Sequence, residues 1–170
     1  MAPPNAEIDR SEHPSVARVL HALHEQGIDP QVRHLPDAVR TAQAAADALG
    51  VTAAEIANSL VFAALDHDGR ATPLLILTSG GHRVDTARIA GLLGLRDLAR
   101  ADPRFVRSRT GFAIGGVAPI GHTEPVRTLV DVSLADYEQV WAAAGHSHSV
   151  FATTFADLVR ITGGTPVEVA

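Results

Sequence analysis

The sequence predicts a single α/β domain, α+β in its mixing, built around one mixed sheet with helices against it. Three observations carry that expectation. The chain has 170 residues, the length of one domain that buries a core without staples. Hydrophobic residues make up 46% and charged residues 19%, the balance of ordinary globular material. Segments with the two-residue period of strands mix with segments of helical period, without strict alternation. No repeat or internal linker divides residues 1–170, and the first twelve read as a loose N-terminus.

Val16, Val19, Leu20 and Leu23 form the stripe of an amphipathic helix that Gly27 ends. Gln31–Leu35 alternates as a short strand before Pro36. Thr41 caps an alanine-rich helix running to Leu49, with Gly50 as its stop. Thr52-Ala53-Ala54-Glu55 has capping-box spacing and opens a brief helix. Ser59–Leu65 is an apolar strand, 66–69 a polar turn and Leu74–Leu77 the partner strand, which makes a hairpin. A helix over Asp85–Leu93 ends at Gly94, and Asp102-Pro103 starts another that reaches about Ser108. Leu129–Val132 and Val150–Thr153 are strand-like. Thr154 caps a helix to Ile161, Gly163-Gly164 breaks it, and Val167–Val169 is a last strand. The segment Tyr137–Ala144 is ambiguous: its composition favours helix and its position favours strand.

Composition narrows the chemistry. With no cysteine, disulfides, zinc–thiolate sites and cysteine nucleophiles are excluded. No signal peptide is visible at the N-terminus, and no apolar run reaches the ~18 residues of a membrane span. The expectation is a soluble, cytoplasmic protein without a membrane partner. The net charge of −5 argues against broad nucleic-acid binding, DNA included. One stretch differs. Between Arg96 and Arg109 five arginines stand against two aspartates, a net of +3 that leaves −8 for the rest. Within it, Arg104 and Arg107 are candidates for meeting phosphates at one place; the alternative is a solvated helix face. All 14 basic residues are arginine, and lysine is absent.

The most informative segment is Thr110–His122, which holds Gly111, Gly115, Gly116, Pro119 and Gly121. Adjacent glycines let backbone approach a ligand and aim N–H groups at it. Such a loop suits a phosphate, or the carbonyl of an ester whose oxygen gains charge during hydrolysis. A tight sheet-edge turn is the other reading. The G-x-G-x-x-G dinucleotide spacing is missing.

Three stretches together resemble a known family. Ile56-Ala57-Asn58-Ser59-Leu60-Val61-Phe62, then Gly81-His82-Arg83-Val84-Asp85, then Thr110-Gly111-Phe112 leading to Gly115-Gly116-Val117-Ala118-Pro119-Ile120-Gly121 are similar to the YbaK/aminoacyl-tRNA deacylase family. The likeness covers roughly residues 32–164, and its most specific motif is the G-x-x-x-P loop, here Gly115–Pro119. The resemblance implies a mixed sheet or partial barrel flanked by helices. It implies a trans-editing deacylase that hydrolyses the ester of a mischarged tRNA, classically proline tRNA carrying alanine or another small amino acid. It implies the aminoacylated 3′ end of tRNA as partner, with an aminoacyl-tRNA synthetase as a further candidate, and neither cofactor nor metal. The oligomeric state it leaves as monomer or homodimer.

In that family a lysine precedes the "-Leu-Val-Phe" strand. Here Asn58 holds the place, a neutral donor instead of a charged one; just after the Thr52–Glu55 turn and at the start of the strand, its side chain is expected to face the glycine loop. The resemblance makes Asn58, Gly115 and Gly116 the candidate catalytic residues. Ser59, His82, Val117, Ala118, Pro119, His122, Asp131, Gly145 and His146 are the candidates for binding substrate. A pocket walled by Gly115, Val117 and Ala118 would admit a small side chain and exclude a proline ring, a second sieve of the kind editing needs. The alternative is a non-catalytic module of the same fold that binds a tRNA end or small ligand, with an unrelated hydrolase using the same loop as a third reading.

The other candidates have plainer readings, and Trp141 and Phe151 read as core. His146-x-His148 and the His21/His24 pair lack the carboxylate company of a metal site. Gly145-His-Ser147-His-Ser149 departs from G-x-S-x-G at its last position and reads as a loop. His122 either orients water or the ribose hydroxyl, or is a surface histidine. Asp131 either meets the α-amino group of the aminoacyl moiety or caps the turn before Leu134.

Overall fold

The computed structural model describes residues 13–36 and 41–170; the expected loose N-terminus lies outside the described residues. Along the chain come α1 (Pro14–Glu25), β1 (Val32–His34), α2 (Ala42–Leu49), β2 (Ile56–Leu65), β3 (Ala71–Ser79), α3 (Thr86–Leu93) and β4 (Asp97–Arg100). They are followed by α4 (Pro103–Thr110), β5 (Arg127–Asp131), β6 (Val140–His146), β7 (Ser149–Thr153), α5 (Phe155–Thr162) and β8 (Thr165–Val167). The helix ends follow from local chemistry. Thr41, Asp85, Asp102 and Thr154 each accept a hydrogen bond from the backbone N–H three residues on, each cap stabilising by about 1 kcal/mol. Thr52 and Glu55 close the expected capping box on a single 3-10 turn, Ala53–Glu55, which passes straight into β2.

One mixed sheet holds all eight strands, in the order β1-β7-β6-β2-β3-β5-β8, with β4 paired to β2 off that path. The path runs from β1 to β8 without closing on itself. β2 pairs antiparallel with β3 and parallel with β6, while β3, β5 and β8 run parallel. Helices cover both faces. On one, Val19 and Leu23 of α1, Val106 of α4 and Leu158 and Ile161 of α5 pack on Ala57, Val61, Leu75, Leu77 and Val130. On the other, Ile89 and Ala90 of α3 cover Phe62, Leu74, Ile76 and Leu129. Ala45 and Ala46 of α2 cover Ile56, Trp141 and Val150.

The structure resolves one ambiguous segment and departs from the sequence reading in four places, one of them the start of β2, at Ile56 instead of Ser59. Tyr137–Ala144 resolves as strand from Val140, because β6 has partners on both sides; tertiary pairing overrides the helical preference of alanine. β3 runs back through Pro73, which pairs with Ala63 and lies beyond the stretch joined to β5. There its missing N–H breaks no central ladder. The last strand falls two residues earlier than expected. Asp97–Arg100, read only as part of the basic stretch, is a strand whose one buried apolar residue is Leu98. Four residues with a single inward side chain carry too short a period to read.

Candidate functional site

β2 and β6 pair only at Ile56–Trp141 and Ala57–Ala142. The strands then separate, and the edge of β2 gains no new strand partner until Phe62 meets Arg100 of β4. A cleft of about 130 Å³ opens at this divergence. Its walls are Ile56–Ser59 of β2, Trp141–Ala143 of β6, Val150 of β7, Thr41, Ala42 and Ala45 beside and on α2, and Gly115 and Val117 of the glycine-rich loop. The point where parallel strands part is where open α/β sheets place ligands.

Asn58, Ser59, Gly115 and Val117 are thus brought together. Their orientation amends one expectation, that the Asn58 side chain faces the glycine loop. Side chains alternate along a strand, and β2 pairs with β3 without a register break. Ser59 therefore shares the face of Ala57 and Val61, whose core cluster includes Val117 and Ala118. Asn58 shares the face of Ile56, under α2. The cleft cuts through the sheet and is lined by both. The Ser59 Oγ is buried and has no hydrogen-bond partner among the described residues, a hydroxyl left to serve whatever enters.

The loop closes on itself where the Thr123 N–H donates to the Thr110 carbonyl at 3.1 Å, the hallmark of a compact Ω-loop. At its tip the Gly116 N–H donates to the Ala113 carbonyl at 3.0 Å. Gly115 holds φ +87° in the third position of that turn, where a type II turn demands glycine. Among the described residues the N–H groups of Gly115 and Val117 carry no hydrogen bond. Gly116 is glycine for another reason: its Cα lies against the backbone of His146 and Ser147, where a Cβ would stand 3.0–3.1 Å away. Ala118 and Pro119 are buried behind the tip.

The remaining candidates lie elsewhere. His82 and Asp131 border a separate cleft of about 370 Å³ with Ser133, Asp136 and Glu168. Asp131 is 1% exposed and accepts from Ser79 N (3.0 Å), Ser133 N (2.9 Å), the Ser133 hydroxyl (2.8 Å) and His82 Nδ1 (2.9 Å). It caps the turn that contains Leu134. Burial pushes its carboxyl up, but these hydrogen bonds outweigh burial and hold it below the ordinary carboxylate range. His122 borders a third cleft with Pro119 and Glu124, and its Nε2 donates to the Ala118 carbonyl at 2.7 Å. Burial lowers its pKa, with the Arg18 charge adding to the effect and the Ala118 bond opposing it.

Gly145 holds φ +99° in β6 and is pressed on the Ser15 carbonyl of α1. The His146 ring stacks edgewise with His13 at 5.0 Å and tilts against His148 at 5.5 Å. Arg104 and Arg107 stand exposed on α4. Sequence reasoning missed the α2 wall and the Trp141–Ala143 wall. The one available signal was Trp141, the only tryptophan, which was read as core alone.

No helix of the described residues is long and apolar enough to cross a membrane. The description "aminoacyl-tRNA editing domain" matches residues 36–161, most of the chain and all of the cleft. The uncharacterized protein YwhH of Bacillus subtilis (strain 168) is 30% identical over 118 residues, 69% of this chain and 72% of that one. A proline–tRNA ligase of Limosilactobacillus fermentum is 32% identical over 94 residues, 55% of this chain but only 16% of the ligase. Among solved structures, a candidate trans-editing enzyme for prolyl tRNA synthetase superposes with a TM-score of 0.81 at 39% identity, covering 92% of this chain and 96% of that one. The family match extends across the three stretches quoted from the sequence and the fold around them: the chain belongs to the aminoacyl-tRNA editing domain family.

Proposed function

We propose that the chain is a trans-editing deacylase that hydrolyses the ester between a small amino acid and the 3′ end of tRNA, with proline tRNA carrying alanine the leading candidate. The observation that carries this reading is the meeting of Gly115, Val117, Asn58 and Ser59 around one small cleft. The backbone N–H groups of Gly115 and Val117 are free to hold the ester carbonyl oxygen as it gains charge. Asn58 donates a neutral hydrogen bond to the ester or the terminal phosphate, and the Ser59 hydroxyl holds the water. Water adds to the carbonyl carbon, the carbon–oxygen bond to the ribose breaks, and the proton passes to the released ribose hydroxyl. The vicinal hydroxyl of that ribose orients the water, so positioning replaces a strong protein base. A cleft of about 130 Å³ has the room of about four waters at ~30 Å³ each, enough for a methyl-sized side chain beside the attacking water. Related proteins described for prolyl-tRNA support the choice of tRNA.

One observation favours a second reading, binding without turnover: the chain has no lysine to supply the charge its resemblance leads one to expect beside Ser59. Deacylation of tRNA charged in turn with alanine, 2-aminobutyrate, serine, threonine and cysteine separates the two. Hydrolysis of at least one supports the enzyme; tight binding of all with hydrolysis of none supports the module.

A further inference from the structure

We propose that Arg18 of α1 is a positioning residue for the glycine-rich loop, holding Gly115 and Val117 at the cleft from behind. The inference deepens the deacylase reading and rests on it for its kinetic consequence. The Arg18 Nη2 donates to the Gly111 carbonyl at 3.1 Å, and its guanidinium lies 4.5 Å from the centre of the Phe112 ring. Phe112 is fully buried and meets the His122 ring edge to face at 5.9 Å. His122 in turn binds the Ala118 carbonyl. One chain of contacts therefore runs from α1 through both arms of the loop to the residue after Val117.

Three glycines record how closely α1 sits. A Cβ on Gly111 would stand 2.9 Å from Arg18 Nη2, and one on Gly145 2.7 Å from the Ser15 carbonyl. One on Gly121 would meet the Arg18 carbonyl and Val19 Cα at 3.6 Å, an ordinary contact, so there the positive φ and not crowding calls for glycine. All three also hold positive φ. α1 is thus the backing of both the loop and the β6 wall, although it precedes the stretch matched by the family.

Stability alone does not account for an arginine here. Among the described residues its buried Nε has no hydrogen-bond partner and no carboxylate pairs with its charge. An apolar side chain would fill the space without that desolvation cost. What arginine adds is a planar fork that binds one carbonyl and stacks on one ring at once.

The test compares Arg18→Met, Arg18→Lys and Arg18→Ala with the wild-type chain. Trp141 lines the same cleft and is the only tryptophan, so acrylamide quenching of its fluorescence reports loop placement whether or not the protein is an enzyme. Arg18→Met is expected to keep a cooperative thermal transition, to raise quenching, and to lower kcat on the order of tenfold to a hundredfold with little change in KM, as for a displaced reacting group. In Arg18→Ala, which leaves the space open, methylguanidinium should reverse part of both effects, and Arg18→Lys, which keeps charge without the fork, should fall between wild type and Arg18→Met. Unchanged quenching in a folded Arg18→Met overturns the proposal. So does a loss that only tracks the unfolded fraction in the variants and, in Arg18→Ala, resists methylguanidinium. If the wild type hydrolyses no aminoacyl-tRNA, the deacylase reading fails, while quenching and its rescue still decide the role of Arg18.

Discussion

Gly116 and His146 meet backbone to backbone, so closely that a methyl group on Gly116 would stand about 3.1 Å from the His146 backbone and fit only if that backbone gave way. Gly115, one residue earlier, has open space around it but a φ of +87°. The two glycines should therefore fail differently. Gly116→Ala is expected to push the loop off the β6–β7 turn and to destabilise by about 1–3 kcal/mol, as overpacking does. Gly115→Ala should cost about 1–2 kcal/mol of backbone strain. Gly115→Val, which puts a branched side chain on a residue lining the cleft, should abolish deacylation while the circular dichroism stays native. A Gly115→Val protein with full turnover would remove the loop tip from the chemistry.

Asn58 tests the substitution of a neutral donor for a charged one. Asn58→Ala should slow deacylation by the worth of one hydrogen bond, about 0.5–1.5 kcal/mol in barrier. Asn58→Lys should keep or raise turnover and tighten binding of the anionic tRNA end. Because Ser59 holds the loop's side of the sheet, Ser59→Ala should be the more damaging of the two alanine changes. Rates for both, measured on the same charged tRNA, decide the ranking. If neither change nor Asn58→Lys moves the rate, the site lies elsewhere.

The exposed pair Arg104 and Arg107 should contribute to tRNA affinity through counterion release. The double alanine variant is expected to bind more weakly and to flatten the log–log salt dependence by about one phosphate's slope for each arginine. An unchanged slope would return α4 to ordinary solvated surface.

Asp131 makes stability depend on acid. Its folded carboxyl titrates below the ordinary range, so the unfolded chain binds its proton first. The resulting stabilisation is complete above about pH 4, where the unfolded carboxyl ionises, and is lost as pH falls through the folded value. Asp131→Asn should lower stability at neutral pH by about 1.5–3 kcal/mol, the worth of hydrogen bonds to a charged group. The gap between the proteins should narrow as the pH is lowered through that window. Urea midpoints at several pH values provide the check, and a gap independent of pH would mean that ionisation is not what Asp131 contributes.

Much of this was legible in the sequence for physical reasons. Thr41, Asp85, Asp102 and Thr154 announce their helices through local hydrogen bonds, and the Gly115–Pro119 spacing marks the loop. The order of residues could not show that β2 and β6 part after Ala57, because strand pairing between distant segments leaves no local period. Nor could it separate Asn58 from Ser59 by face until the register with β3 was known. His82 was grouped with the cleft by likeness, and His122 and Asp131 also by their places in the chain; in the fold they border two other clefts. Arg18 went unnoticed because its partners, Gly111 and Phe112, lie more than ninety positions away.

The parting of β2 from β6 also sets when the protein can work. Ile56 waits for Trp141, about eighty residues later in the chain, and long-range pairings of this kind form late and slowly. On the ribosome β2, β3 and the glycine-rich loop emerge while β6 is still unmade. A nascent or truncated chain that ends before Trp141 can pair β2 to β5, half of the strands, and has only one bank of the cleft. Activity should therefore arrive only once the Trp141–Ala143 wall has been made, and fragments that stop short of it should be unable to act on any tRNA.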